Sequence, residues 1–589
     1  YTGTGVVAVG QVSALKTINA TALTGTLTLV ASTAGVDQTI LGGAGNDTFY
    51  VSAQFNQSDS LDGGAGADTV VWTNATTGTF RPVIQGVETL TMDFGAEAVI
   101  DLRNTSAASI ATLNVLGVAT ASTFSALSSA TKTINAYSGA SAGGVTFNYA
   151  TGNASDVVFN LSNEAAATST ASYVFGDLTL ANNTGSLTLN VVGSATGQGV
   201  ENFAANNADA LTINVTSGQF IASGTFNANA ASAVTLNVNN GKTATIIGDA
   251  SFTGATSLAI NLSGATANAN LDDINFGANG SMTLTLGAGV SGFTMGTAAF
   301  GATALTAAVT NSITVTNNGS ATVTLSGLDL TTAAVSAASA SQVTFNLSVN
   351  QTGSGAVFNA TSIGFGSIDS AALTVTLAGQ GTFNLAATAS LSALTGQVVM
   401  NSTAVSTGFV SALFTAMADT NVIFDVRLGA HSAVISLGAG ADKVQWGLNN
   451  QQSVIGGLGN DELTMNNTAV SIAVYEAAGT AATALDGTDT IFGAGTGDII
   501  LFQGYNTSTG TGAIIATAIG TGTTWSHSTA AWTAGGTGVV QVFGTSLIGN
   551  ELSDTANNYF MAMYTAAGDM VIQVLVMTAS PTASVAASA

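Results

Sequence analysis

The sequence predicts an all-β fold of stacked coils from three observations: short alternating apolar runs, their return at a fixed interval, and no long amphipathic helix. The runs alternate apolar with polar residues, are rich in β-branched types and are separated by Gly, Asn and Ser. This is the pattern of strands buried on one face. LTLNV at 187–191 is followed by LTINV at 211–215, VTLNV at 234–238, LAINL at 258–262 and MTLTL at 282–286. Start to start, these lie 24, 23, 24 and 24 residues apart; VVFNL at 157–161 precedes them by 30. Similar runs begin at Ile313, Val343 and Leu373, at steps of 31, 30 and 30.

A fixed period in this range marks a repeat architecture, and one coil of a parallel β-solenoid is a unit of this length. The first, third and fifth positions of each run would face inward, and the Thr and Asn between them would form ladders outside. A row of tandem β-sandwich domains with shared strand spacing is the other reading of the same pattern. An outer-membrane barrel fits poorly, because its strands need about 9–11 residues and aromatic girdles, and these runs are of five with sparse aromatics.

Taken in order, the chain divides into an N-terminal calcium-binding segment over 1–100 and a β-repeat array over 101–420. A second calcium-binding segment over 421–505 and a C-terminal β-domain over 506–589 follow. The first segment contains Gly42-Gly43-Ala44-Gly45-Asn46-Asp47-Thr48-Phe49, which matches the nonapeptide G-G-x-G-x-D-x-U-x of calcium-binding RTX repeats. Its glycines allow a tight turn that points carbonyl oxygens inward, the Asp adds a charged oxygen, and the apolar position plants a short strand in the core. Calcium takes 6–8 oxygens, so two such loops must share an ion.

The motif returns as Gly63-Gly64-Ala65-Gly66-Ala67-Asp68, its aspartate 21 residues on. Two nonapeptides make one 18-residue turn, which puts both loops on the same side with three extra residues bulged. A second pair, Leu437-Gly438-Ala439-Gly440-Ala441-Asp442 and Gly456-Gly457-Leu458-Gly459-Asn460-Asp461, has its aspartates 19 apart. A more decayed pair ends in Asp489 and Asp498, nine apart, and is expected on opposite sides of the coil. The candidate ligands are therefore Gly43, Gly45, Asn46, Asp47, Gly64, Gly66 and Asp68, then Gly440, Asp442, Gly457, Gly459, Asn460 and Asp461, with Asp489 and Asp498. Plain Gly/Asp turns are the alternative, but two near-perfect pairs at coil spacing, each leading into a strand, favour calcium as the bound ion.

Composition agrees. The 589 residues carry 31 Asp+Glu against 7 Lys+Arg, and Lys242 is the only cation between Lys132 and Arg427. Nucleic acid and anionic membrane both require clustered cations, so neither is an expected partner. Charged residues make up 6%, against about 25% in an ordinary soluble domain, and so little charge leaves association unopposed. There is no Cys, hence neither a disulfide nor a thiolate metal site, and no apolar stretch of membrane-spanning length. The opening residues, YTGTGVVAVG, have neither Met nor a basic leader, which points to a removed signal, another export signal or a processed piece of a longer chain.

The order of these features resembles the S-layer proteins of Gram-negative bacteria that carry RTX repeats. The resemblance rests on the strand-like segment at 15–29, the Gly42 and Gly63 motifs, IQGVETL at 84–90 and the late pair at 435–500; between these it is compositional. It implies secretion to the bacterial cell surface by a type I system reading a C-terminal signal, and calcium-dependent assembly with copies of the same chain into a sheet or tube. It also implies anchoring to lipopolysaccharide or another surface anchor, although this chain shows no separate helical anchoring region. An RTX-type adhesin or extracellular filament is the alternative.

An enzyme is not expected. Gly139-Ala140-Ser141-Ala142-Gly143 matches a nucleophile elbow, but no helical pattern follows it. Only His431 and His527 could serve as base, and each reads as an ordinary surface or turn histidine. Trp72, Trp446, Trp525 and Trp532 read as core or interface anchors. Asp272 and Asp273 are the only adjacent acids of the middle repeats and read as a turn or an extra cation site; a polysaccharide-degrading solenoid would need more. The segments 558–564 and 568–576 read as a hairpin with a Gly-Asp turn.

Overall fold

A computed structural model describes residues 2–104, 110–118, 120–137, 143–162, 173–192, 198–217, 220–239, 245–264, 268–276, 280–300, 309–329, 343–364, 371–386, 397–414, 422–449, 451–457, 459–466 and 471–476. Beyond these it gives the backbone of strands between 488 and 577. Among the described residues every regular element is a strand, save one short 3-10 turn at Leu102–Asn104. The strands pair in parallel, coil on coil: the protein is a parallel β-solenoid, not a row of sandwiches. It forms two compact units, Tyr1–Gly296 and Thr297–Ala589.

In the first unit the runs read from the sequence stack in the register their spacing gives. Val157 pairs with Leu187, Leu187 with Leu211, Leu211 with Val234, Val234 with Leu258, and Leu258 with Met282. The coils starting at Leu187, Leu211, Val234 and Leu258 each add two shorter strands, as in Ala233–Asn239, Thr245–Ile247 and Ala250–Phe252, so three sheets enclose one core; in the Met282 coil these merge into the single strand Gly292–Phe300. Leu189, Ile213, Leu236, Ile260 and Leu284 lie inside, one above another. Phenylalanines fill a corner of the core, with the rings of Phe203 and Phe226 stacked at 4.4 Å and Phe252 edge-on to Phe226.

Outside, a carboxamide ladder runs along the same sheet. Asn135 Nδ2 donates to Asn114 Oδ1, and Asn160, Asn190, Asn214, Asn237 and Asn261 continue it at 2.8–2.9 Å. An amide carries both donor and acceptor, so each Asn can satisfy the next without a counter-ion.

The second unit departs from the spacing at one place. The steps from Ile313 to Val343 to Leu373 are not the register: Ile313 pairs with Leu347, Val343 with Val309 and Ala371, and Leu373 with Phe345. The strands Val309–Asn317, Val343–Gln351 and Ala371–Ala386 run nine residues or more. Alternation that long is satisfied by any even shift, because the same face stays buried. Beyond residue 422 the coils become two-stranded, with Ile423–Arg427, Lys443–Gln445 and Glu462–Thr464 in one sheet and Ser432–Ser436, Gln452–Ile455 and Ser471–Glu476 in the other.

The direction then reverses. Thr488–Phe492 pairs antiparallel with Asp569–Met577, which forms the expected hairpin with Asn558–Ala566. Its turn at 567–568 lies outside the described residues.

Candidate metal centre

Both glycine-aspartate pairs occupy corners between two sheets. The loop after Thr39–Leu41 and the loop after Ser60–Asp62 are one coil apart and superposed, since Ile40 pairs with Leu61 and Thr48 with Thr69. The extra residues of the intervening stretch form a turn closed by Asp59, whose carboxylate accepts from the backbone N–H of Gln38 and Asn56.

Stacking this close demands glycine. A Cβ on Gly64 would run into the carbonyl oxygen of Gly43, and one on Gly66 would lie 2.5 Å from that of Gly45. Gly64 also has a φ of 96°, which side chains rarely adopt. The second pair repeats the arrangement, with Gly457 against the Gly438 carbonyl and Gly459 against that of Gly440; Gly440 itself closes on the Val422 carbonyl.

The acids form a ladder of their own. Asp47 Oδ1 accepts from the backbone N–H of Leu27, Asp68 Oδ1 from that of Asp47, and Glu88 Oε2 from that of Asp68, each at 2.7 Å. In the second unit Asp442 Oδ1 accepts from Phe424 N–H and Asp461 Oδ1 from Asp442 N–H, both at 2.9 Å. In each case a carboxylate reaches back one coil and replaces a rung of the backbone ladder. Asp47, Asp68, Asp442 and Asp461 are all buried.

Their outer oxygens differ. Asp47 Oδ2 accepts from Gly43 N–H at 2.8 Å. Asp68 Oδ2 is buried with no hydrogen-bond partner and lies over Gly63, where a Cβ would stand 2.6 Å away. Burial pushes the Asp68 carboxyl up to about 7. The N–H of Asp47 lowers it, and the nearby charges of Asp47, Glu88 and Asp62 raise it further.

A buried oxygen without a partner in a column of stacked carboxylates is oxygen-only and anionic, the donor chemistry a hard divalent cation takes. The residues that would hold calcium are Asp47 and Asp68 in the first unit and Asp442 and Asp461 in the second; the Gly43 carbonyl accepts from Ala65 N–H, one coil on. Asn46 is engaged elsewhere, since its Oδ1 accepts from Ala67 N–H and braces one loop on the next. Asn460 is exposed at its loop tip.

The register also places one further candidate. Glu462 pairs with Thr490, so Asp489 continues the backbone column of Asp442 and Asp461. Asp498 and the elbow serine Ser141 lie outside the described residues. Glu88 was not among the sequence candidates. Its signal was the shortened Gly86-Val87-Glu88, a glycine and an acid at the right interval without the full nonapeptide.

His431 sits in a turn, as expected, but it is not at the surface. It is 1% exposed, at the corner opposite the second acidic ladder. Its Nε2 accepts from Gly429 N–H at 3.2 Å and faces Ser402 Oγ at 2.9 Å, while Nδ1 meets the Ser432 carbonyl at 3.0 Å. Gln452 ties the same corner, donating to the carbonyls of Gly429 and His431 and accepting from Gly447 N–H. Burial holds the His431 imidazole below its usual range.

Trp72 and Trp446 are core residues, and the backbone of Trp525 pairs with that of Trp532 in an antiparallel register. Asp249, Asp272 and Asp273 bring three exposed carboxylates within 4.8 Å of one another. No protein-family model matches the chain, and neither do curated proteins or solved structures.

Proposed function

We propose that this chain is a secreted structural subunit of a bacterial surface layer whose acidic-loop coils set on binding calcium and which then associates with copies of itself. The observation that carries the reading is Asp68, a buried carboxylate oxygen without a hydrogen-bond partner in a column of acids that recurs in the second unit. Bound calcium would supply the positive charge that lets Asp68 stay ionised in a buried corner.

Without a cation these carboxylates repel one another, and the glycine loops are costly to order. Each site held at a hundred times its dissociation constant adds about 2.7 kcal/mol, so a few sites rival the whole stability of a domain. The low surface charge supports self-association, and the resemblance over 15–90 and 435–500 extends the reading to the cell surface, with lipopolysaccharide or another anchor.

The test is the full chain in millimolar calcium, in magnesium and in chelator, followed by sedimentation and electron microscopy. Sheets or tubes in calcium alone are expected. Isolated rods would favour the adhesin or filament, and a particle size indifferent to calcium would overturn the assembly.

A further inference from the structure

Two of the seven cationic side chains, Arg81 and Arg103, converge on one buried carboxylate in the first unit. Arg81 Nε lies 3.1 Å from Asp101 Oδ2 and Arg103 Nε 2.7 Å from the same oxygen. Asp101 Oδ1 accepts from the Arg103 backbone N–H, so the carboxylate is fixed from both sides. Burial alone would raise the Asp101 carboxyl, but the Arg103 and Arg81 hydrogen bonds hold it below the ordinary range.

Asp101 is 3% exposed, whereas the two arginine side chains are 46% and 62% exposed. Each spends only its Nε on the pair; among the described residues no hydrogen bond uses an Nη nitrogen of either. One carboxylate against two guanidinium groups leaves a local positive excess in a chain of net charge -24. Two like charges held on one oxygen repel, and a second anion between their open edges relieves the repulsion. The planar fork of Arg suits oxyanions, which it binds through paired N–H donors.

We propose that Arg81 and Arg103, aimed outward by Asp101, form a clamp for an oxyanion: a carboxylate, phosphate or sulfate group carried by another molecule. The clamp stands on this geometry; only the sedimentation comparison below rests on the proposed association in calcium.

Sulfate is the probe, because it leaves calcium in solution, titrated calorimetrically into the full chain at low ionic strength, where charge pairing is least screened. Saturable binding is expected. R81Q leaves the Arg103–Asp101 pair in place, and R103Q leaves the Arg81–Asp101 pair. Each should weaken sulfate about tenfold, the loss of a charge-assisted hydrogen bond. R81K, which keeps the charge and loses the fork, should fall between R81Q and the unaltered chain, and circular dichroism checks that all three fold. Absence of saturable binding, or R81Q binding like the unaltered chain, overturns the clamp. Sedimentation of R81Q in calcium distinguishes the source: lost association means that a carboxylate of a second copy fills the clamp, and unchanged association means an anion from outside the chain.

Discussion

The coils around Asp47 and Asp68 and those around Asn190 and Asn214 share one fold but join to their neighbours by different means. In the asparagine coils each carboxamide donates to one neighbour and accepts from the next, and the ladder is neutral. In the acidic coils the carboxylates only accept, so each must find its donor in the backbone of the preceding coil and bring a charge into the corner. The difference teaches that cohesion of the asparagine coils rests on the chain alone, whereas under the proposed function that of the acidic coils also depends on dissolved calcium.

Chelation should give the largest contrast. By hydrogen exchange, removing calcium should unprotect 40–90 and 437–464 while 187–262 stays protected, with a loss of about 2.7 kcal/mol per site held at a hundred times its dissociation constant. Uniform loss across all coils would break the comparison.

Gly64→Ala comes next. It meets both the Gly43 carbonyl and a positive φ, and should cost roughly 1–3 kcal/mol in calcium by denaturant titration. Ala65→Gly, at the exposed neighbouring position, is the control and should cost well under this.

Acidity sharpens the contrast between the two acidic blocks. A carboxyl raised on folding binds its proton more tightly in the folded chain, so the Asp68 contribution is present below the unfolded value of 3.8 and is lost as pH rises toward about 7. In chelator, residues 60–72 should therefore be better protected at pH 5 than above pH 7, after correction for intrinsic exchange, and D68N should flatten the difference. His431 acts in the opposite sense. Its lowered value means that neutral imidazole stabilises the fold above the unfolded 6.5 and that this is lost as pH falls below it. Protonated Nε2 would confront Gly429 N–H, so the corner at 428–432 should loosen in acid, and H431Q should remove that response.

The smallest effect is expected of Asn214→Ala. It removes one donor and one acceptor from a half-buried ladder, worth about 1 kcal/mol each, with the same loss in calcium and in chelator. A calcium-dependent loss would show that the ladder and the loops are coupled.

What the sequence by itself determined is the repeat, its inward and outward faces, and the glycine corners; that the repeats stack as coils and not as sandwiches was decided by the parallel pairing. A repeat such as Leu187, Leu211, Val234 and Leu258 returns at nearly constant spacing, and only one register lets apolar meet apolar when strands are short. Glycine loops were legible for a similar reason: backbones stacked at the distance of Gly43 and Gly64 leave no room for any other residue. Tertiary structure alone decided the rest. Long strands such as Val343–Gln351 tolerate even shifts, so their partners follow from how the coils around them pack. The alignment of Glu88 and Asp489 with the aspartate columns, the buried corner where Ser402 meets His431 and the meeting of Arg81 with Asp101 all depend on coil length, which brings together residues 20 to 29 positions apart.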